Sequence, residues 1–459
     1  MHLKQKYFPF EYLTILWFVV QLFPFYNLPI IPTIFIFLLI MGLKYYFEAF
    51  RFNYAFFFIF QALLIWSSSL YLDIAIIFLS LFLIDIFPAY EYPDPTGPYK
   101  VGYKSFTQGK DIDVAIFYPT KEWDPSRNEH LDRSAQISIR NYNGFKLIFG
   151  HYVPPLIWLI PKFLIDLAHT FYKRLFMNVT RNAEIIPKSP NEGFPVIVFS
   201  HGLGAFKHLF SVYCKEWASH GYIVLSVDYD EQIYYKWKEY SDFVAVRLPQ
   251  LEVRRTTIRK VLDYIHNEKY IQELFIHKVK LDYNKVFLAG HSFGSATSAT
   301  LVTAYEREIA GIILLDPWLD PCNEELFTKP LQKPMLLLRS EQFAKMRPIY
   351  EKVERFIQAN KEHIFSGYLK GTVHNDVTDF ILTLPKNIKH ALRLAKETDR
   401  KYREDKLMLH SGIVQIFTDT VCQEINRNDP GKDFPGDMRE KVLEFLRKNR
   451  KEEEFHFDM

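Results

Sequence analysis

The sequence predicts two parts: an all-helical apolar region, then an α/β domain built on a mostly parallel sheet. Three observations carry this. Aliphatic and aromatic residues crowd into positions 1–90. Beyond Tyr90, short apolar runs alternate with helix-forming stretches, the pattern of parallel strands covered by helices on both faces. Near the middle, Asn284 to Ser298 reads NKVFLAGHSFGSATS, an apolar strand passing through Gly290-His291-Ser292-Phe293-Gly294 into a helix that begins near Ala296.

Residues 1–90 divide at their punctuation into Phe8 to Phe25, Leu28 to Leu43, Tyr54 to Leu72 and Ile74 to Ala89. Each run is about 16 to 19 residues, near the roughly 17 needed to cross a bilayer core. A signal peptide would supply one such run, so four predict a multi-pass integral membrane protein with the lipid bilayer as a partner. Lys4 and Lys6 precede the first run, and Lys44 and Arg51 separate the second from the third. The positive-inside tendency puts these on the cytosolic side and, with an even number of spans, the remainder of the chain with them. The sequon Asn178-Val179-Thr180 suits the opposite side.

The domain over 91–449 opens on a turn-rich linker (EYPDPTGPYKVGY) and a hairpin of Val101 to Phe106 with Asp113 to Tyr118. Phe145 to Phe176 is apolar but broken by Pro154-Pro155 and Pro161, which suits short helices at a membrane surface, over the site or in the core. Strand and helix then alternate: Pro195 to Phe199, a helix Leu209 to His220, Tyr222 to Val227, and the amphipathic helix Leu251 to His266. The Val286 to Ala289 strand follows, then Ala310 to Leu315 and Pro334 to Leu338. Asn387 to Arg403 and Met438 to Arg447 read as charged closing helices, and residues 450–459 as a disordered tail.

A net charge of +3 and the lack of a basic stripe or a G-x-x-x-x-G-K loop argue against nucleic-acid and nucleotide binding. Cys214, Cys322 and Cys422 are far apart and odd in number, so neither a metal site nor a disulfide framework is expected. No cofactor is expected either.

Chemistry points to Ser292. A serine hydroxyl is a weak nucleophile unless a base can reach it, and a turn sharp enough to present it leaves no room for side chains two positions before and after. Gly290 and Gly294 meet that demand, which makes the arrangement that of an α/β-hydrolase. In that fold the acid and the histidine follow in order. Asp316 stands at the carboxyl end of the next strand, whereas its neighbour Asp320 falls in the turn beyond. Among His363, His374, His390, His410 and His456, only His374 sits in a turn after the last strand, so it is the expected base. The expected oxyanion donors are the amides of Phe293 and of Leu203, the latter in Ser200-His201-Gly202-Leu203-Gly204. His201 reads as a brace for that loop.

With these residues placed, the chain resembles the platelet-activating factor acetylhydrolase family, calcium-independent phospholipases of the α/β-hydrolase superfamily. The resemblance lies in Gly97 to Gly102 (GPYKVG), the block from Pro195 (PVIVFSHGLGAFKHLF), GHSFGSAT from Gly290, LDPW around Asp316 and HNDVTDF from His374. It implies a metal-free Ser292, Asp316, His374 triad with Leu203 and Phe293 as oxyanion donors. The implied substrate is a phospholipid with an acetyl, short or oxidised sn-2 acyl group. Two departures stand out: Ser295 replaces a usual glycine, and Asp228-Tyr229-Asp230-Glu231 replaces an acidic-His-Arg-Asp segment. Other readings of the same residues are a lipase, esterase or acyltransferase for other lipid esters, and a non-catalytic membrane scaffold.

Overall fold

The computed structural model describes residues 9–23, 29–47, 53–67, 69–86, 94–109, 112–130, 176–189, 192–230, 240–275, 279–305, 309–379, 400–427 and 434–458. The apolar stretch Phe145 to Phe176 therefore lies, apart from Phe176, outside the described residues, as do His390 and most of the expected helix from Asn387.

The apolar N-terminal runs do become helices: α1 (Pro9–Val20), α2 (Ile30–Phe47), α3 (Asn53–Trp66) and α4 (Leu70–Ile86). None of the described helices is long and apolar enough to cross a membrane, which overturns the expected transmembrane region. For α1 and α3 the reason is length. At about 1.5 Å per residue, the 12 residues of α1 rise about 18 Å and the 14 of α3 about 21 Å, against a hydrocarbon core of about 30 Å. α2 carries Lys44 in its last turn, and α4 holds Asp73 in its first turn. The multi-pass localisation, and the cytosolic placement that depended on counting spans, fall with the transmembrane region. The four helices pack on one another instead: Phe18 and Phe57 are fully buried beside Phe37, Met41 and Ile76. Trp17 Nε1 donates to Gln61 Oε1 at 3.1 Å, and Gln61 Nε2 donates to Gln21 Oε1 at 2.9 Å, tying α1 to α3.

The strands that follow are β1 (Lys100–Gln108), β2 (Ile112–Thr120), β3 (Asn128–His130), β4 (Phe176–Arg181) and β5 (Phe194–Ser200). Helix α5 (Ser211–Ser219), β6 (Ile223–Asp228), helix α6 (Leu248–Ile265), β7 (Leu281–His291) and helix α7 (Phe293–Tyr305) come next. Then come β8 (Gly311–Leu315), β9 (Met335–Ser340), helix α8 (Arg347–Ala359), β10 (Ile364–Leu369), helix α9 (Arg400–Arg427), helix α10 (Phe434–Lys448) and β11 (Phe455–Phe457). They form one 11-stranded sheet in the order β11-β10-β9-β8-β7-β5-β6-β2-β1-β4-β3. Its centre, β6-β5-β7-β8-β9-β10, is parallel throughout. The expected hairpin is present as β1 and β2, antiparallel from Lys100↔Thr120 to Gln108↔Ile112.

Side chains alternate across this sheet with the period of two that a strand imposes. Val196, Val198, Leu225, Leu288, Leu314 and Leu337 bury one face against α6, α7 and α8. Ile197, Phe199, Val224, Phe287, Ile313 and Leu336 bury the other against α5, α9 and α10. Both faces being covered explains why these strands read as unbroken apolar runs.

The C-terminal residues differ from the expected tail. Phe455 to Phe457 pair antiparallel with β10, from Gly367↔Phe457 to Leu369↔Phe455, and Phe455 is buried under the sheet. The Phe-His-Phe alternation is a three-residue strand pattern, obscured in the sequence by the acidic residues before it.

Candidate active site

Strand β7 ends at His291 and α7 begins at Phe293, leaving Ser292 alone at the turn with φ +57°. That left-handed value is uncommon for a residue with a side chain. It turns Ser292 out of the strand and keeps it half-buried while its neighbours are covered. The two motif glycines are required by space. A Cβ on Gly290 would lie 2.2 Å from Gly294 O, and one on Gly294 would lie 2.0 Å from Ser200 O. Backbone bonds lock the corner: Ser292 N–H donates to Leu315 O at 2.9 Å, and Trp318 N–H to Ser292 O at 3.2 Å.

Asp316 follows β8 directly and also has a left-handed φ, +44°. Its buried carboxylate accepts from Ser340 N–H, from Ser340 Oγ at 2.7 Å and from His374 Nδ1 at 2.9 Å. His374 opens the short turn His374–Val377 after β10. Its backbone is held at both ends: its N–H donates to Gln342 Oε1 at 3.0 Å, and its carbonyl accepts from His291 Nε2 at 3.1 Å. Its ring lies between two others, stacked on Phe343 at 4.8 Å and tilted against His291 at 4.5 Å. With Nδ1–H committed to Asp316, Nε2 of the neutral ring carries the free lone pair. Among the described residues, no hydrogen bond joins Ser292 Oγ to His374. The other histidines lie elsewhere: His363 precedes β10, His410 is buried against Tyr213 with its pKa pushed down to about 3 by burial, and His456 lies on Tyr368.

The segment after β5 runs over the elbow. A Cβ on Gly202 would come within 3.2 Å of His291 Nδ1 and 3.4 Å of Ser292 Cβ, so only bare backbone fits there comfortably. His201 braces this segment, its Nε2 facing Asp228 Oδ1 at 3.1 Å and its Nδ1 facing Gly202 O at 2.8 Å. Burial would raise the Asp228 pKa, but the hydrogen bond and charge of His201, with Lys207 beyond, bring it below the usual carboxylate range.

Several supporting residues escaped the reading of the sequence. His291 occupies a variable position of the motif and carries no signal in the sequence; burial, and then the nearby His374, push its pKa well below the ordinary histidine value, so it stays a neutral donor. Ser295, noted in the sequence only as a departure from the usual glycine, donates from Oγ to Gly290 O at 2.7 Å and is also 3.1 Å from Leu315 O. Arg254 had a visible signal: it sits in step with Leu251, Ile258, Val261 and Ile265 on the apolar face of α6, an odd place for a charge.

His291, Asp316 and His374 bring potential ligand atoms within 4.8 Å of one another. Within this cluster His374 Nδ1 and Asp316 Oδ2 are hydrogen-bonded to each other at 2.9 Å.

A parallel sheet whose central strand turns through a lone serine into a covered helix defines an α/β-hydrolase. The sequence profile of the family described as platelet-activating factor acetylhydrolase, isoform II, matches residues 84–233 and 228–414. The chain belongs to that family, and it is a carboxylic ester hydrolase. Its relatives include the platelet-activating factor acetylhydrolase of Cavia porcellus, 27% identical over 356 residues, 68% of this chain and 74% of that one. The Canis lupus familiaris protein of the same name is 26% identical over 343 residues, 67% of this chain and 72% of that one. A Schizosaccharomyces pombe protein provisionally named a phospholipase A2 is 24% identical over 436 residues, 75% of this chain and 94% of that one.

Proposed function

We propose that the protein hydrolyses the sn-2 acetyl, short or oxidised acyl ester of platelet-activating-factor-like phospholipids, with Ser292, His374 and Asp316 as its triad. The observation that carries this reading is the 2.9 Å contact from His374 Nδ1 to the buried Asp316 carboxylate, with Ser292 held on the strained corner at φ +57°. The names of the mammalian relatives support the substrate class.

In this mechanism substrate closure brings Ser292 Oγ onto His374 Nε2, a contact that tightens only when a substrate is bound. His374 takes the hydroxyl proton as Oγ attacks the sn-2 carbonyl carbon. Asp316 holds the tautomer and stabilises the imidazolium. The amides of Phe293, at the start of α7, and of Leu203 take the oxyanion. His374 then protonates the departing glycerol oxygen, leaving an acyl-Ser292 that water, activated by the same imidazole, cleaves to free acid.

Replacing Ser292 by alanine tests this. The expected loss in kcat is on the order of 10⁴-fold or more, together with loss of labelling by a fluorophosphonate; a S292A protein that still turned over substrate would end the proposal. A second reading, cleavage of long-chain sn-2 esters, is favoured by the name of the S. pombe relative. Comparing kcat/KM for acetyl and palmitoyl sn-2 substrates separates the two.

A further inference from the structure

Arg254, on α6, is fully buried, and its guanidinium grips the segment that passes over Ser292. Nη1 donates to His201 O at 2.5 Å and Nη2 to Gly202 O at 3.2 Å. The Gly202 carbonyl also receives His201 Nδ1 and, at 3.2 Å, Ala205 N–H. Arg254 alone among these donors takes both consecutive carbonyls. Its planar group also lies over two rings, 4.5 Å from the centre of Phe293 and 4.6 Å from that of Tyr229.

Peptide geometry makes this more than a structural tie. The Gly202 carbonyl and the Leu203 N–H belong to one planar trans unit and point in opposite directions. A charge that holds the carbonyl on the α6 side therefore turns the Leu203 N–H the other way. The same guanidinium packs on Phe293, whose own amide opens α7. One side chain thus holds the carbonyl of the Leu203 peptide and packs on the ring of Phe293, the residues whose amides would stabilise an oxyanion.

We propose that Arg254 is a positioning residue that sets the orientation of the two oxyanion donors, Leu203 N–H and Phe293 N–H. The proposal rests on the Ser292-centred reading above. Arg254 does not touch substrate; it acts through the Gly202–Leu203 peptide and the Phe293 ring. Lysine can donate to more than one acceptor but has neither the rigid planar fork that fixes both carbonyls nor a flat face to stack on Phe293 and Tyr229.

The test is Arg254→Lys, assayed on p-nitrophenyl acetate and on a trifluoromethyl ketone that adds to the serine as a tetrahedral mimic. Expected is a fall in kcat of roughly 10²-fold with KM within about threefold, and a rise in the ketone Ki by a similar factor. A folded R254K protein with kcat within threefold of the parent, or with a reduced kcat but an unchanged Ki, overturns the proposal. Should R254K not fold, Tyr229→Leu decides: removing one ring from the guanidinium is expected to shift kcat and Ki in parallel by roughly three- to tenfold, and a Y229L protein with both unchanged overturns it. Failure of the underlying reading looks different, because it appears as an active S292A protein whatever Arg254 does.

Discussion

At the level of single residues, the site is a set of backbone positions as much as of side chains. Gly294 presses against Ser200 O so closely that Gly294→Ala must move one chain or the other, and we expect a loss of several kcal/mol in unfolding free energy by urea titration, with little soluble protein. His291 offers a finer experiment. Its Nε2–H holds the His374 carbonyl, and a glutamine amide reaches nearly the same point while leucine offers no donor. His291→Gln is expected to keep kcat within about threefold, whereas His291→Leu loses on the order of tenfold with KM little changed; equal losses in both would show that the donor does not matter. Ser292, Asp316 and His374 stand out in the sequence as candidates because each follows a strand in the order the fold requires. Ser340 and Gln342 do not, since their partners are 24 and 32 positions away and no local pattern encodes such contacts, and Arg254 stands out only as a charge on an apolar helix face, its partner 53 positions away.

Secondary-structure elements bring titration into the account. Burial pushes His208, beside Tyr103, and His410, on α9, down to about 3, so both stay neutral in the folded chain. A histidine whose folded pKa is depressed binds fewer protons than its unfolded form between about 3 and the ordinary histidine value of 6.5. Its contribution is therefore intact above 6.5 and lost as pH falls, by roughly 3 kcal/mol per histidine near pH 4. Asp379 runs the other way. Burial raises it to about 6 although it caps α5 by accepting from Ser211 N–H, Ser211 Oγ and Val212 N–H, and its contribution is full below its usual value and declines as pH rises through 6. Urea midpoints compared at pH 7 and pH 4.5 should thus fall less for His410→Leu than for the parent and more for Asp379→Asn. The strand and helix alternation was readable because both sheet faces are apolar. The depth of α9 was not: Leu409, Ile413, Phe417 and Val421 are buried within a sequence that looks charged.

Considered whole, the molecule shows where reading by composition stops. Apolar density marked residues 1–90 as separate, and α1–α4 do share their own core. Density located four helices but did not decide whether any of them is long and apolar enough to cross a membrane. The last strand was hidden because it is three residues in a charged context. Asp458 pairs with Arg339 on β9, which also holds Glu354 at 3.2 Å, so β11 ties the sheet edge to its interior. Removing residues 452–458 is expected to bare the β10 edge, lower the melting temperature by several degrees and promote association, read by differential scanning calorimetry and light scattering.

Helix α5 begins at Ser211, yet the carboxylate that satisfies its first amides comes from position 379, just beyond the turn that carries His374. During synthesis those amides must wait while some 168 residues are made. The same late segment brings the imidazole to the carboxylate at 316. On the proposed assignment, a ribosome-bound chain cannot attack lipid before position 374 has been made, and the residue that closes the start of α5 follows five positions later, while α9, α10 and β11 are still to come.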